Sequence, residues 1–239
     1  MPTNPSMMLE RRISRSLRLH YAQIFLGVAV LRVQGLSAWR DDRCLYRDVD
    51  LSLPTGTVMQ IRGPNGAGKT TLLKHIAGLS GRRAGQVSWA STDSHDDRDT
   101  FTQQMLYLGH LPGVKSALTV AENLQALAAC RGINLLTHTI SQALNTVHLG
   151  GYDDMPCHQL SAGQLRRVAL ARLFTEPVPL WLLDEPFTAI DQAGVRELEG
   201  WLAAHSEQGG VVLLTTHHPL ALNCPLQFLD LQAIVEDWH

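Results

Sequence analysis

Apolar residues along the chain recur with two periods, at every second position in some segments and at every third or fourth position in others. The period of two occurs in Val30–Leu36 and Val49–Leu53, and such alternation is typical of half-buried antiparallel strands. The continuous apolar runs Leu180–Leu183 and Gly210–Thr215 predict buried parallel strands instead. Further short strands are predicted at Val58–Arg62, Gln86–Trp89 and Met105–Leu108.

Most of the segments between these strands have apolar residues at helical spacing. Apolar residues three and four apart predict helices at Leu72–Ala77, Thr119–Ala129, Ile140–Leu149 and Gly194–His205. Another helix is expected to open at Ser161, because serine is a good N-cap residue. Alternation of buried strands with helices predicts an α/β fold whose ligands bind at the carboxyl ends of the strands.

The segment Gly63–Thr70 has the form G-x-x-x-x-G-K-[ST] between a predicted strand and a predicted helix, as a phosphate-binding loop requires. Its glycines let the backbone turn tightly, so that several N–H groups face the phosphates of a nucleotide. Lys69 is expected to reach the β- and γ-phosphates, and the hydroxyl of Thr70 to ligate Mg²⁺. The predicted nucleotide-binding residues of this loop are Gly63, Pro64, Asn65, Gly66, Ala67, Gly68, Lys69, Thr70 and Thr71. The sequence therefore predicts a P-loop NTPase (RecA-like) core.

Two adjacent carboxylates, Asp184 and Glu185, follow the apolar run Leu180–Leu183. A carboxylate at the end of such a strand is well placed to hold Mg²⁺, which we expect of Asp184. Its neighbour Glu185 can act as general base toward the water that attacks the γ-phosphate. Together with the phosphate loop, the pair predicts catalysis of phosphoryl transfer to water by positioning and electrostatics.

A second anion-binding site is predicted at the start of the helix that follows Leu160. Ser161 and Gly163 would offer a hydroxyl and free N–H groups there, beside Gln164. The alternative interpretation is a plain helix cap, and this short pattern does not separate the two by itself.

Composition argues against several classes of protein. The 239 residues carry a formal net charge of −2 without a long run of either sign, which argues against a basic nucleic-acid-binding surface. The four cysteines are scattered, without metal-ligand spacing or a C-x-x-C-H haem attachment motif, and predict reduced thiols of the cytosol. No apolar run approaches the roughly 18–20 residues that span a bilayer. The N-K-x-D motif expected of a GTPase is also absent from the sequence.

Residues 28–239 are expected to form one domain, in which the alternating strands make an antiparallel β subdomain and about residues 111–175 an inserted α-helical subdomain. Residues 1–27 are expected to be an N-terminal extension. Its residues Ile13, Leu17 and Tyr21 recur four apart among arginines, so a basic amphipathic helix and a disordered segment remain two open interpretations. A signal peptide is not predicted, because no small-residue cleavage site follows the apolar run near the start.

The order of the motifs along about Val30–His217 resembles the ATPase subunits of ABC transporters. Leu160–Gln164 is similar to the signature motif of that family, although alanine stands at position 162 where glycine is usual. Thr188–Asp191 resembles the loop that passes between two subunits, and His217 matches the switch histidine that hydrogen-bonds the γ-phosphate. The resemblance implies an ATPase that uses ATP and Mg²⁺.

The same resemblance implies a nucleotide-sandwich dimer of two copies packed head to tail. ATP held by Lys69 of one copy would be closed over by Ser161 and Gly163 of the other. Each copy would therefore supply residues to both nucleotide sites.

Two positions match the family less closely. His110 stands where the family usually has glutamine, in the loop that follows Met105–Leu108 and couples the nucleotide to the membrane partner. A histidine can hydrogen-bond a water near Mg²⁺, but it also titrates near neutrality. Trp39 is expected to stack on adenine, since an aromatic residue does so at a similar distance before the phosphate loop in the family.

A narrower resemblance is carried by Tyr107–Ser116, Leu160–Leu173, Trp181–Asp191 and Gly209–Leu220. These segments are similar to the ATP-binding subunits of the bacterial cytochrome c maturation (haem exporter) system. The resemblance implies an integral membrane permease subunit (CcmB-like) and other cytochrome c maturation proteins as partners, with no nucleic acid. It also implies a peripheral protein on the cytoplasmic face of the bacterial inner membrane, where ATP hydrolysis drives release of a haem-loaded chaperone.

Three other functions remain as alternatives: the ATPase subunit of a different ABC permease, a soluble ABC ATPase of DNA repair or translation, and a nucleotide-binding scaffold without hydrolysis. The repair type needs a long coiled coil between the phosphate loop and the signature, and Gly63–Ser161 leaves no room for one. The translation type needs two cassettes, and the sequence has one phosphate loop. The presence of Glu185 argues against the scaffold.

Overall fold

The structure is a computed structural model that describes residues 30–40, 43–80, 84–90, 92–94 and 96–231. The predicted N-terminal extension, residues 1–27, lies outside the described residues. Within them, nine strands and six α-helices follow in this order: β1 (Val30–Arg40), β2 (Arg43–Pro54), β3 (Val58–Arg62), α1 (Lys69–Ile76), β4 (Ala84–Trp89), β5 (Thr92–Asp93), α2 (Arg98–Gln103), β6 (Met105–Leu108), α3 (Val120–Ala129), α4 (Thr137–Thr146), α5 (Ala162–Thr175), β7 (Leu180–Asp184), α6 (Gln192–Glu207), β8 (Val211–Thr215) and β9 (Leu226–Asp230).

An antiparallel sheet contains the strands β2, β1, β4 and β5 in that order. Strand β1 pairs with β2 on one side and with β4 on the other, so that Val33 lies opposite both Leu51 and Val87. Leu31 and Val33 are buried whereas the intervening Arg32 is exposed, which is the alternation that predicted the strand. The predicted antiparallel β subdomain is confirmed, with β1 and β2 longer than expected.

A parallel sheet contains the strands β6, β7, β8, β3 and β9 in that order. Strands β7 and β8 are buried along their whole length, which explains why their sequences are continuous apolar runs. Because all five strands run in the same direction, their carboxyl ends lie along one edge of the sheet. The loop after β3 meets Asp184, the last residue of β7, at this edge, where Glu185 follows. The predicted α/β fold with a P-loop core is confirmed.

Two apolar clusters cover the two faces of the parallel sheet. Leu180 and Leu182 of β7 belong to the cluster that includes α1 and the antiparallel sheet. Trp181 and Leu183, on the opposite face of the same strand, belong to the cluster that includes α3 to α6. Each fully buried aliphatic side chain stabilises the fold by roughly 1.5–3 kcal/mol. The sheet is therefore held between an antiparallel layer and a helical layer.

The chain between β6 and β7 is helical, as predicted, and two of its helices begin with a capping box. Thr119 and Glu122 form the box at α3, and Ser161 and Gln164 form the box at α5. In each box the two side chains satisfy backbone amides that a helix start leaves unpaired. The inserted α-helical part is thereby confirmed, whereas its limits at about residues 111–175 stay a prediction.

Three elements, β5, α2 and β9, are absent from the sequence predictions, and β5 consists of two residues. Helix α2 has six residues and buries Phe101 alone, so it is too short to show a helical period. Strand β9 lies at an edge of the sheet and none of its residues is fully buried, so it lacks the apolar run of an inner strand. Helix α4 lies about one turn N-terminal to its predicted position.

Candidate active site

A cleft of about 500 Å³ opens where the β1–β2 hairpin meets the carboxyl edge of the parallel sheet. This volume lies within the ~300–1,000 Å³ of typical ligand pockets. The cleft brings together Lys69, Glu185 and His217, the three residues predicted as catalytic. Its lining consists of Arg40, Leu45, Asn65, Gly66, Gly68, Lys69, Thr70, Thr71, Lys74, His110, Glu185, Thr188 and His217.

The loop between β3 and α1 has a backbone that depends on glycine. Gly66 and Gly68 have φ values of 84° and 94°, in the left-handed region that other residues rarely adopt. A side chain at Gly68 would also approach Leu45 and Tyr46 at 3.1 and 3.2 Å, because the hairpin packs on the start of α1. Gly68 caps α1 without a side-chain hydrogen bond, so the first amides of the helix remain available to an anion.

Lys69 begins α1, and its ammonium donates hydrogen bonds to the carbonyls of Gly63 and Pro64 at 2.8 and 3.1 Å. The side chain therefore lies across the loop, so that its positive charge adds to the field of the backbone amides. The predicted loop residues Asn65, Gly66, Gly68, Thr70 and Thr71 also line the cleft, whereas Gly63, Pro64 and Ala67 do not.

Asp184 ends β7 in a buried position, and its two carboxylate oxygens differ in their hydrogen bonds. Its Oδ1 accepts hydrogen bonds from the hydroxyls of Thr70 at 3.0 Å and Thr215 at 2.7 Å. Its Oδ2 is buried and has no hydrogen-bond partner among the described residues. Burial raises the pKa of Tyr107, and the nearby charge of Asp184 raises it further, to about 12. This corner of the site therefore has a negative potential beside the hydroxyl of Thr70.

Glu185 follows Asp184 with a φ of 50°, in the left-handed region. Its amide donates to the carbonyl and to the hydroxyl of Thr215, at 3.1 and 3.0 Å. Its Oε1 lies 3.6 Å from Nε2 of His217, whose side chain is 65% exposed. The strained backbone is of the kind that gathers at functional sites, and it is held here by the end of β8.

His110 is exposed on the loop after β6 and lines the cleft together with Glu185 and His217. Among the described residues, no group of three or more His, Cys, Asp or Glu side chains could hold a metal ion. A cation beside Asp184 and Thr70 would therefore need further oxygen ligands from phosphate and water, which Mg²⁺ commonly takes.

Trp39 does not line the cleft, and its neighbour Arg40 does. The indole of Trp39 instead lies under the guanidinium of Arg47, 5.6 Å from the ring centroid. Leu45, across the hairpin, lies in the cleft wall beside the phosphate loop. The end of the hairpin thus presents a guanidinium and an aliphatic side chain to the cleft.

Ser161, Gly163 and Gln164 are not among the residues that line the cleft. Ser161 is exposed, and its hydroxyl accepts a hydrogen bond from the amide of Gln164 at 3.2 Å. A side chain at Gly163 would meet the carbonyl of Ala189 at 2.8 Å, so glycine permits this close approach. Thr188 lines the cleft while Ala189 contacts Gly163, so the segment Thr188–Asp191 lies between the two motifs.

Sequence reasoning missed three polar residues of the site: Arg40, Lys74 and Thr215. Lys74 follows Thr70 by four residues on α1, and this spacing places both on one face of the helix. Thr215 lies opposite Asp184 in the register of β7 and β8. The available signals were therefore the spacing of Lys74 from Thr70 and the position of Thr215 at the end of the apolar run Val211–Leu214.

Among the described residues, no helix has both the length and the apolar character that a membrane crossing needs.

In comparisons with known proteins, residues 46–188 match the family described as ABC transporter. The cytochrome c biogenesis ATP-binding export protein CcmA of Yersinia pseudotuberculosis is 49% identical over 191 residues, which cover 80% of this chain and 87% of that protein. The protein of the same name from Hahella chejuensis is 47% identical over 205 residues, covering 86% and 97%. A solved structure, a putative ABC transporter ATP-binding protein from Pyrococcus furiosus, matches with a TM-score of 0.73 at 25% identity and covers 86% of this chain and 98% of that one.

Proposed function

This chain belongs to the CcmA proteins of the ABC transporter family, and we propose that its ATP hydrolysis powers haem handling in cytochrome c maturation, by driving release of a haem-loaded chaperone. The supporting observation is the convergence of Lys69, Thr70, Asp184 and Glu185 at one edge of the sheet. Thr70 and Asp184 are 114 positions apart in the chain and share a hydrogen bond. This contact supports an ATPase site built from two distant parts of the chain.

Mg²⁺ fits this site because Asp184 keeps a buried carboxylate oxygen without a partner among the described residues, beside the hydroxyl of Thr70. Thr70 and Asp184 would hold the ion, and His110 would hydrogen-bond one of its water ligands. When bound, Mg²⁺ neutralises charge that develops on the phosphates.

The residues of the chain have distinct tasks in the proposed hydrolysis. Lys69 and the amides of the phosphate loop bind the phosphates. Glu185 takes a proton from the attacking water, and its fixed backbone aims the carboxylate into the cleft. His217, at 3.6 Å from that carboxylate, hydrogen-bonds the γ-phosphate. The chemistry is phosphoryl transfer to water, with positioning and electrostatics as the main contributions.

We place the base of ATP against the end of the β1–β2 hairpin. Arg40 can stack its guanidinium on the base, and Leu45 can cover its edge, since both line the cleft. The alternative, stacking on Trp39, requires that its indole turn toward the cleft, which it does not line in this structure. The two assignments make opposite predictions for single alanine variants.

We further propose a head-to-tail dimer with shared nucleotide sites. Ser161, Gly163 and Gln164 do not line the cleft of their own chain, and Ser161 is exposed. A second copy whose α5 faces the cleft would add a hydroxyl and helix-start amides to the γ-phosphate. Thr188–Asp191 would then lie in the interface between the copies.

We place the chain on the cytoplasmic face of the bacterial inner membrane, as a peripheral subunit bound to an integral permease (CcmB-like) and other cytochrome c maturation proteins. Residues 28–239 would act as one domain, with a helical subdomain at about residues 111–175. Leu111, next to His110, is 79% exposed. We place the permease contact at this loop, because it also carries His110 of the cleft lining.

Recovery of the tagged protein from detergent-solubilised native membranes tests this proposal, with partners identified by mass spectrometry. A small polytopic membrane subunit together with haem-chaperone components would support it. Another permease would contradict the role in haem handling and keep the ATPase. Ribosomes or DNA-repair factors as partners would contradict a transporter role altogether.

A further inference from the structure

Arg166 on α5 has a guanidinium that is buried in the fold, with 2% of the residue exposed. It donates hydrogen bonds to five backbone carbonyls and to no side chain among the described residues. Its Nη2 reaches the carbonyls of Asp184 and Glu185 at 3.2 and 2.5 Å, and its Nε reaches that of Pro186 at 3.1 Å. Arginine has five N–H groups in a rigid fork, and here this fork holds the turn that follows β7.

The other side of the same guanidinium contacts a different part of the cleft. Its Nη1 donates to the carbonyl of Gly109 at 2.9 Å and to that of His110 at 3.4 Å. These residues begin the loop after β6, and His110 lines the cleft. One side chain therefore connects the loop of His110 with the turn that carries Glu185.

Such a buried cation is held in place by its surroundings. Burial lowers the pKa of Arg166, and the charges of Asp184 and Glu185 act in the opposite direction. Loss of the guanidinium would remove a donor from all five carbonyls, of which those of Asp184 and Pro186 belong to buried residues, and proteins rarely leave buried carbonyls unpaired. The turn after β7 would rearrange first, since it provides three of the five acceptors.

That turn is the one whose geometry determines where Glu185 points. Glu185 has a φ of 50° and is held on its amide side by Thr215. Arg166 holds the carbonyl side of the same residue. A non-glycine residue persists in this conformation only where its surroundings fix it, and these two contacts do so from opposite sides.

We propose that Arg166 is a positioning residue that fixes the left-handed turn at Glu185 and links it to the loop of His110, so that a shift of that loop reaches the general base. The inference rests on the proposed ATP hydrolysis. Arg166 itself does not line the cleft, and it acts on the reaction through Glu185.

Steady-state ATP hydrolysis by the purified full chain tests this role. In Arg166→Lys the charge remains while the fork is lost, and we expect kcat to fall by about 10²-fold, as for a misplacement of about 1 Å. The KM for ATP should stay within about 2-fold of wild type, since the phosphate loop is untouched. Arg172→Lys is the matched control, because Arg172 lies on the same helix and contacts Glu176 at 2.6 Å, away from the cleft.

A double variant separates positioning from a general loss of structure. If Arg166 acts through Glu185, then Arg166→Lys should lower kcat no further in a Glu185→Gln background. Where lysine unfolds the chain, Arg166→Gln replaces it, because glutamine leaves no buried unpaired charge and keeps an amide donor.

Three outcomes overturn the inference: near-normal kcat in the folded Arg166 variant, an equal loss of kcat in both backgrounds, or an equal loss in Arg172→Lys. Failure of the proposed ATP hydrolysis differs from these, because wild-type protein would then hydrolyse no ATP at all.

Discussion

His205 lies face to face on the indole of Trp181, with ring centroids 3.7 Å apart and planes inclined by 9°. Its Nε2 donates a hydrogen bond to the carbonyl of Pro179 at 3.1 Å, and the residue is buried. Burial lowers the pKa of His205 from 6.5 to about 3. The folded protein therefore keeps this imidazole neutral between α6 and β7.

This stack predicts that stability falls as the pH drops below about 6.5. The unfolded chain protonates His205 near its ordinary pKa of 6.5, whereas the folded chain excludes the proton until about pH 3. Since the unfolded state binds more protons in this window, His205 lowers the free energy of unfolding by about 1.4 kcal/mol per pH unit. Urea unfolding at several pH values measures the slope.

The control for this prediction compares two histidine variants. His205→Gln should flatten the dependence on pH between about 6.5 and 3, while the same change at exposed His138 should leave it as in wild type. If the free energy of unfolding depends on pH with the same slope in wild type and His205→Gln, another group is responsible for the dependence.

Replacing Glu185 with glutamine is expected to reduce ATP hydrolysis by roughly 10²–10⁴-fold, because the amide cannot accept the proton of the attacking water. Binding of a fluorescent ATP analogue should be unchanged, since the phosphate loop stays intact. Turnover and equilibrium binding are measured on the same preparation. Near-normal turnover would rule out Glu185 as the general base.

Arg40→Ala is expected to weaken ATP binding by about 2- to 5-fold, which corresponds to the loss of one exposed cation–π contact of about 0.5–1 kcal/mol. Trp39→Ala should change ATP binding less, because the indole contacts Arg47 and does not line the cleft. Titration of both variants with a fluorescent ATP analogue compares them directly. A larger effect at Trp39 would restore the assignment of adenine to that ring.

Gly163→Ala is expected to slow hydrolysis by about 10- to 100-fold through a displacement below 1 Å. A Cβ at this position would lie 2.8 Å from the carbonyl of Ala189, so Thr188–Asp191 must shift at the edge of the cleft. Gly200→Ala on α6 is the matched control, since a Cβ there meets no atom within 4 Å. Equal activities of the two variants would show that this contact has no bearing on hydrolysis.

The phosphate loop and the strands beside it could be predicted because their signals are local. Val58–Arg62 and Met105–Leu108 have the predicted bounds, since each is a short, largely apolar segment that a glycine follows. Ser161 could be predicted as an N-cap because its side-chain chemistry suits a helix start. In each case the residues that signal the structure are the residues that form it.

The base end of the site could not be predicted in the same way. The pairing of β1 with β2 contains register shifts on both sides of Ala38, and each shift changes which residues face which side. The sequence favours Trp39 as a stacking residue, while the cleft receives Arg40. The contacts of Arg166 were equally hidden, because backbone carbonyls from separate loops leave no pattern in the sequence.

Strand β7 contributes alternate side chains to both apolar clusters, so it is packed on both faces. A strand packed in this way exchanges its amide hydrogens only when the whole domain opens, whereas helices that contact one cluster can open locally. In hydrogen–deuterium exchange, Leu182 and Leu183 should thus be among the slowest amides, and those of α4 should exchange earlier. Asp184, at the end of this strand, would keep its position during local opening of α4, which leaves that helix free to respond to a partner without disordering the catalytic strand.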